Sequence, residues 1–144
     1  MTANNAFKMF KNPLFSTENY NSMMESHRKN MEAMQVAQRE ILNAAKTVAN
    51  ANIQYMKEAS EDFKSYVKES MGSKSLEEKM RTNSTRFKDS LSKATNHTKN
   101  VMETFSHSRK NIAKAFQERT NESMNEAKNW NNKAKNTFKE AAQA

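Results

Sequence analysis

The sequence predicts an all-α protein in which two long amphipathic helices form an extended helical hairpin. The 144-residue chain contains one glycine, Gly72, and one proline, Pro13, whereas ordinary proteins carry about 7% and 5% of these residues. Turns must therefore be few. Large apolar residues recur at alternating spacings of four and three, which is the repeat of a helical stripe.

The first helix is predicted at about 17–71, because neither glycine nor proline occurs between Pro13 and Gly72. Ser22 and Glu25 have the spacing of a capping box near its start. At 1.5 Å per residue such a helix is roughly 80 Å long, which exceeds the diameter of a compact domain of this size. We therefore expect an extended molecule.

The break at 72–75 is the strongest local signal in the sequence. Gly72 is the permissive residue that commonly follows the end of a helix. Ser75 and Glu78 have capping-box spacing at the start of the next helix. The second helix is therefore predicted from Leu76 to about 141, with no breaker inside it.

An apolar stripe runs along both predicted helices. Stable two-stranded coiled coils favour Leu, Ile or Val at such positions, whereas this stripe relies on Met, Phe, Tyr and Ala. Methionine is common on surfaces that must fit variable partners. The stripe is therefore interpreted either as a weak coiled-coil-like oligomer seam or as a surface-binding face. Its candidate residues are Met24, Met31, Met34, Ile41, Val48, Tyr55, Phe63, Phe87, Leu91, Val101, Phe105 and Ile112.

A flexible N-terminal segment, residues 1–16, is expected to precede the hairpin at 17–144. It carries an apolar cluster that is too short for a membrane span and that we expect to cap the hairpin or to dock on an apolar target. The residues of this N-terminal anchor are Phe7, Phe10, Leu14 and Phe15. No export signal and no transmembrane span is predicted.

The chain is poor in core-forming residues. Leu, Ile, Val and Phe together number 19 of 144, below the roughly 20% at which disorder becomes a serious alternative. A thick core is not expected. The chain either forms long helices with one thin apolar stripe or orders when it meets a surface to fold on.

No catalytic or metal-binding motif is present. The absence of cysteine excludes disulfides and thiolate ligands, and one glycine cannot build a phosphate-binding loop. His97 and His107 are ten residues apart and His27 lies on the other helix, so none shares a face with further ligands at metal-binding spacing. We expect a protein without enzymatic activity, cofactor or metal.

Positive charge is concentrated in the second half of the chain. The formal net charge is +8, and residues 72–144 contain fifteen basic and eight acidic residues. Such an excess could neutralise phosphates of nucleic acid or of an anionic membrane. A solubilising polar face is the preferred interpretation.

Two stretches of the sequence together form a recognisable pattern. Residues 26–34 read Ser-His-Arg-Lys-Asn-Met-Glu-Ala-Met, after Met-Phe-Lys at 9–11 and before a helix rich in Ala, Gln and Asn up to 54. Residues 75–79, Ser-Leu-Glu-Glu-Lys, supply the break between the helices. This pattern resembles the phasin family, the small proteins that coat bacterial polyhydroxyalkanoate granules. The resemblance covers about 9–128, and His27 stands where the family typically has Gln.

The resemblance implies a non-catalytic coat protein that adsorbs to polyhydroxyalkanoate granules, such as those of polyhydroxybutyrate, and controls their size and coalescence. It would act at the granule surface in the bacterial cytoplasm, as a homo-oligomer. Two alternatives stay open: a structural helical oligomer, and a basic binder of nucleic acid or membrane surfaces. Salt should release the basic binder but not the granule coat.

Overall fold

A computed structural model describes residues 16–72 and 74–143, except for the side chain at 141. Two α-helices occupy these ranges, α1 (Thr17–Ser70) and α2 (Leu76–Gln143), and no strand occurs in them. The predicted all-α hairpin is confirmed. Helix α1 ends one residue earlier than predicted, and α2 continues two residues further. The predicted N-terminal anchor, Phe7, Phe10, Leu14 and Phe15, lies outside the described residues.

Helix α1 is capped by Ser16. Its side-chain Oγ accepts a hydrogen bond from the backbone N–H of Asn19 at 3.3 Å, which satisfies one of the free donors of the first turn. The capping box predicted at Ser22 and Glu25 is wrong, because both residues lie inside α1. Glu25 instead forms an ion pair with Arg28 at 2.7 Å.

The chain leaves α1 through a tightened final turn. The backbone N–H of Gly72 donates to the carbonyl oxygen of Glu69 at 3.2 Å, an i to i−3 bond of the kind that closes helix ends. No described residue has a positive φ, so Gly72 is not used for the left-handed conformation. A Cβ at this position would lie 3.3 Å from that carbonyl oxygen. The glycine allows this close backbone approach.

Ser75 begins α2, as the sequence predicts. Its Oγ accepts a hydrogen bond from the backbone N–H of Glu78 at 3.3 Å, and its carbonyl oxygen accepts the first helical bond from Lys79 at 3.0 Å. Glu77 and Glu78 occupy the first turn, where negative charge interacts favourably with the helix dipole.

Replacement of Ser75 by alanine should lower the free energy of unfolding by about 1 kcal/mol, because the N–H of Glu78 loses its acceptor. Urea denaturation followed by circular dichroism measures this loss. Ser92→Ala, at an exposed position inside α2, is the matched control and should be neutral or slightly stabilising. Equal stabilities of the two variants would contradict the assigned cap.

Helices α1 and α2 contribute to two compact units. The turn unit spans Arg39–Lys110, and the terminal unit consists of the described residues up to Gln38 together with those from Asn111 onward. In the turn unit Glu40 contacts Ser108 and Asp62 contacts Lys93, so later residues of α1 pair with earlier residues of α2. In the terminal unit Glu18 pairs with Lys133 and Lys29 with Glu122, in the same order. The helical segments therefore run antiparallel in each unit.

The interface between the helices is thin in both units. Ala44 in the turn unit and Ala37 in the terminal unit are the only buried hydrophobic residues in the described ranges, at 6% and 8% exposure. Two polar residues, Ser108 and Arg119, are equally buried. Small and polar side chains thus hold the helices together, in keeping with the low content of core-forming residues.

Candidate functional site

The helix–helix interface of the turn unit is built largely from polar contacts. The hydroxyl of Ser108 donates to the backbone carbonyl of Glu40 at 3.3 Å. The ring of Tyr55 stacks on His97 with centroids 4.6 Å apart and an interplanar angle of 10°. These contacts give His97 a packing role between the helices.

Two ion pairs also cross this interface near the turn. Lys93 Nζ lies 2.6 Å from an Asp62 carboxylate oxygen, and Arg86 Nη2 lies 2.6 Å from a Glu69 oxygen. Arg86 also donates to the backbone carbonyl of Asp62 at 3.2 Å and sits over the Tyr66 ring. The hydrogen bond from Arg86 lowers the pKa of Glu69. The hydrogen bond that Lys93 donates to the Asp62 carboxylate raises the pKa of Lys93.

The terminal unit is held by a buried network around Arg119, which is 8% exposed. Its guanidinium donates to Asn30 Oδ1 at 2.6 Å and to Ser26 Oγ at 2.6 Å, both on α1. On its own helix it contacts the Glu126 carboxylate at 3.1 Å. Lys29 of α1 reaches the same carboxylate at 3.5 Å. One carboxylate therefore holds two cations that bridge the helices.

The free energy of unfolding should fall with acid because of Glu126. The hydrogen bond from Arg119 lowers the pKa of Glu126 below its ordinary value of 4.5, and Ser26 and Lys29 add to the effect. The unfolded chain then binds protons more readily than the folded chain as the pH falls through 4.5, so stability present above that pH is lost below it.

Glu126→Gln tests this pH dependence, because it removes the titrating group and keeps its size. Thermal or urea unfolding of both proteins between about pH 6 and pH 3 should give a shallower acid slope for the variant. Glu140→Gln, at an exposed position of α2, is the control and should retain the original slope. Identical slopes for Glu126→Gln and the unmodified protein would refute the assignment.

Most large apolar side chains of both units are exposed. In the turn unit these are Ile41, Leu42, Ile53, Met56, Phe63, Tyr66, Val67, Met71, Leu76, Met80, Phe87, Leu91, Met102 and Phe105. In the terminal unit they are Tyr20, Met23, Met24, Met31, Met34, Val36, Phe116, Met124, Trp130 and Phe138. A helical pair usually buries large apolar side chains between its helices and exposes polar ones. Here the interface is largely polar and the large apolar side chains are exposed.

Most of the exposed apolar residues of the turn unit lie on one side of the helix pair. At about 100° per residue, Phe63 lies roughly 100° around α1 from the buried Ala44, and Leu91 lies roughly 100° around α2 from the buried Ser108, in the same rotational sense. In an antiparallel pair, positions displaced in the same sense from the interface lie on the same side. We call this side the apolar face of the turn unit.

The terminal unit has an apolar face by the same argument. Met31 and Phe138 each lie roughly 100° from the buried residues Ala37 and Arg119 of their helices, again in the same rotational sense. Trp130, the only tryptophan of the chain, is 36% exposed. It lines an open groove of this unit together with Met23 and Ser26.

The opposite side of the turn unit is polar. Displacement from Ala44 and Ser108 in the reverse rotational sense reaches Asn50, Gln54, Asn96 and Asn100, which are all exposed. Lys57 and Lys64 are displaced from Ala44 in the same reverse sense, by roughly 140° and 160°, towards the back of α1. The turn unit therefore presents large apolar side chains on one side and hydrated amides and ammonium groups on the other.

The structure divides the twelve residues of the predicted stripe into two groups. Val48, Tyr55, Val101 and Ile112 are half-buried. The other eight are exposed, namely Met24, Met31, Met34, Ile41, Phe63, Phe87, Leu91 and Phe105. A strict seven-residue repeat drifts about 20° per repeat around a straight helix, so the line through Ile41, Val48 and Tyr55 turns from the exposed side towards the interface.

The sequence alone does not identify the residues that join the helices. Arg119 is one of the fifteen basic residues of 72–144, for which a solubilising polar face is the preferred interpretation, and Ser108 is not among the predicted stripe residues. A recurrence of alanine at 37, 44 and 51 marks the true interface on α1, since small residues every seven positions allow close helix approach. No comparable signal singles out Arg119 among the basic residues of α2.

The described residues contain no cluster of three or more His, Asp or Glu side chains able to hold a metal ion. Within the same ranges, neither helix is both long and apolar enough to cross a membrane. Several cations of α2 have carboxylate partners on α1, as Lys133 does with Glu18 at 2.6 Å. Part of the positive charge of α2 is therefore used in pairing the helices.

Comparison with known proteins gives one family match. A family model described as "Phasin protein" matches residues 21–120, which is more than half of the chain and includes residues of both units. No curated protein and no solved structure matches the chain.

Proposed function

Because the chain belongs to the phasin family, a non-catalytic family associated with polyhydroxyalkanoate granules in the cytoplasm, we propose that its apolar faces adsorb to the polyester and that its polar sides face water. The coat formed in this way limits granule growth and prevents coalescence. The residues proposed to bind the surface are the eight exposed members of the predicted stripe and their exposed apolar neighbours.

The single observation that carries this proposal is the exposure of large apolar side chains, most of them on one side of each unit. In the turn unit, Phe63 is 66% exposed, Phe87 70% and Leu91 59%. Soluble monomeric proteins rarely expose contiguous apolar patches larger than a few hundred Å², and larger ones mark interaction sites. These side chains need a partner that is itself apolar.

The energetics favour adsorption. Each Phe, Met or Leu side chain that moves from water into an apolar environment contributes roughly 1.5–3 kcal/mol, so about six side chains of one face supply on the order of 10 kcal/mol. Because the helices are already formed, little backbone entropy is lost on binding. The Tyr20 and Tyr66 hydroxyls, at exposed positions, can donate to ester carbonyl groups.

The polar side supports the proposed effect on coalescence. Asn50, Gln54, Asn96 and Asn100 are exposed there, and amide groups of this kind are strongly hydrated. Two coated granules would meet through these hydrated layers, and fusion would require the removal of their water or of the protein. Without a granule, the apolar faces would pair copies of the chain as a homo-oligomer.

The protein should pellet with polyhydroxybutyrate particles equally at low and high salt, with its helical circular dichroism retained. Salt screens charge–charge attraction over about 10 Å at 0.1 M but does not weaken burial of apolar surface. A stable helical oligomer that stays in the supernatant would favour the structural alternative. Release from the particles by salt would favour the basic binder.

The same samples test control of granule size. Dynamic light scattering should show that particles coated with the protein keep their diameter over hours, whereas bare particles grow. Serum albumin at equal mass provides the control for nonspecific coating. Growth of coated particles at the rate of bare ones would limit the function to adsorption.

A further inference from the structure

We propose that the two helices of the turn unit stay paired when the protein adsorbs, so that the binding surface is one side of a closed antiparallel pair. This inference rests on the proposed function and adds its mode of contact. The alternative is a hairpin that opens on the polymer and lays down each helix separately, with its former interface against the surface.

Opening would offer the polymer little additional apolar surface. The interface of the turn unit contains half-buried Val48, Tyr55 and Val101, together with buried Ala44. By contrast, the fourteen large apolar side chains of this unit that are exposed are already available while the pair is closed. A hairpin gains from opening when its best apolar residues are hidden inside it, and here they are outside.

Opening would also break specific polar contacts. The ion pairs Asp62–Lys93 and Glu69–Arg86, both at 2.6 Å, and the hydrogen bond from Ser108 to the Glu40 carbonyl all join α1 to α2. A polyester surface presents ester oxygens that accept hydrogen bonds but no groups that donate them. Any carboxylate turned towards the polymer would therefore lose its partner without replacement.

The arrangement of the pair makes opening unnecessary. Phe63 and Leu91 are displaced from the interface in the same rotational sense on antiparallel helices, so they face one side together. The same is true of Met56 and Phe105. Both helices can thus contact a flat surface at once while the polar interface remains between them.

Paired spin labels can test the closed state, because the chain contains no cysteine. Asn50→Cys with Asn100→Cys places one label on each helix, on the polar side, at a level between the Glu40–Ser108 and Tyr55–His97 contacts. We expect the same distance distribution in solution and on polyhydroxybutyrate particles. Dilution with unlabelled protein suppresses distances between copies of the chain.

Asn43→Cys with Lys57→Cys is the matched control, since both exposed positions lie on α1 and their separation does not depend on pairing. Lengthening of the inter-helix distance by more than about 10 Å, the spacing of packed helices, with an unchanged control distance would overturn the inference. Pelleting would show in that case that the proposed function survives. Protein that stays in the supernatant would reject the proposed function and this inference together.

Discussion

Substitution of four exposed apolar residues of the turn unit by serine should greatly weaken adsorption to polyhydroxybutyrate. The variant carries Phe63→Ser, Phe87→Ser, Leu91→Ser and Phe105→Ser. Each side chain contributes roughly 1.5–3 kcal/mol when it leaves water, so the affinity should fall by at least about 1,000-fold. Sedimentation with particles over a range of polymer concentrations measures this loss.

The variant should remain folded, because all four side chains are exposed in the free protein, and circular dichroism verifies this. A matched variant on the polar side, with Asn50, Gln54, Asn96 and Asn100 all changed to serine, should bind as the unmodified protein does. If the two variants adsorbed equally well, the apolar face of the turn unit would not be the binding surface.

Loss of the Arg119 guanidinium should produce the largest effect of any single substitution on stability. Arg119→Met keeps the aliphatic stem but leaves Asn30, Ser26 and Glu126 without their shared donor. Removal of one partner from a buried charged network costs several kcal/mol, and partial exposure of Glu126 reduces this to about 2 kcal/mol. Urea denaturation monitored by circular dichroism gives the value.

Two further variants show whether that loss of stability comes from the guanidinium of Arg119. Arg119→Lys should recover only part of the lost stability, because an ammonium group cannot reproduce the planar fork that reaches three acceptors. Arg109→Met, at an exposed position of α2, should be nearly neutral. Equal stability of Arg119→Met and Arg109→Met would show that the network does not hold the terminal unit together.

Much of the fold could be predicted from local sequence signals. The scarcity of glycine and proline predicts long helices, and the helix break follows from Gly72 and Ser75, whose hydroxyl caps α2. Such features depend on residues close together in the chain. The start of α1 is less clear from the sequence, because Ser22 and Glu25 have capping-box spacing, whereas the residue that caps the helix is Ser16.

The division of the apolar stripe could not be predicted from spacing. Ile41 and Tyr55 lie two seven-residue repeats apart, yet Ile41 is exposed and Tyr55 packs on His97. The physical reason is the drift between a seven-residue repeat and a helix of 3.6 residues per turn. Over two repeats this drift turns the stripe by about 40°, from the exposed side towards the interface.

Contacts between distant residues were also beyond sequence reasoning. Arg119 lies 89 residues from Asn30 and 93 from Ser26, and only the antiparallel register brings the three together. The same holds for Asp62 and Lys93. The basic character of the second half of the chain therefore has partly a structural cause, which composition alone could not distinguish from attraction to phosphates.

Methionine oxidation offers the most direct test of the claim that the apolar faces contact the polymer. All nine methionines in the described ranges are exposed, and peroxide converts an accessible thioether to a sulfoxide. Gln54→Met adds a reporter on the polar side of the turn unit. We would oxidise this variant, free and adsorbed to polyhydroxybutyrate, and measure the sulfoxide at each site by mass spectrometry.

We expect adsorption to protect Met56 and Met102 of the turn unit, and Met31 and Met124 of the terminal unit. The methionine introduced at position 54 should oxidise as fast as in the free protein. Equal oxidation of all sites on the particles, or protection at position 54 alone, would contradict the assignment of the apolar faces as the granule-binding surface.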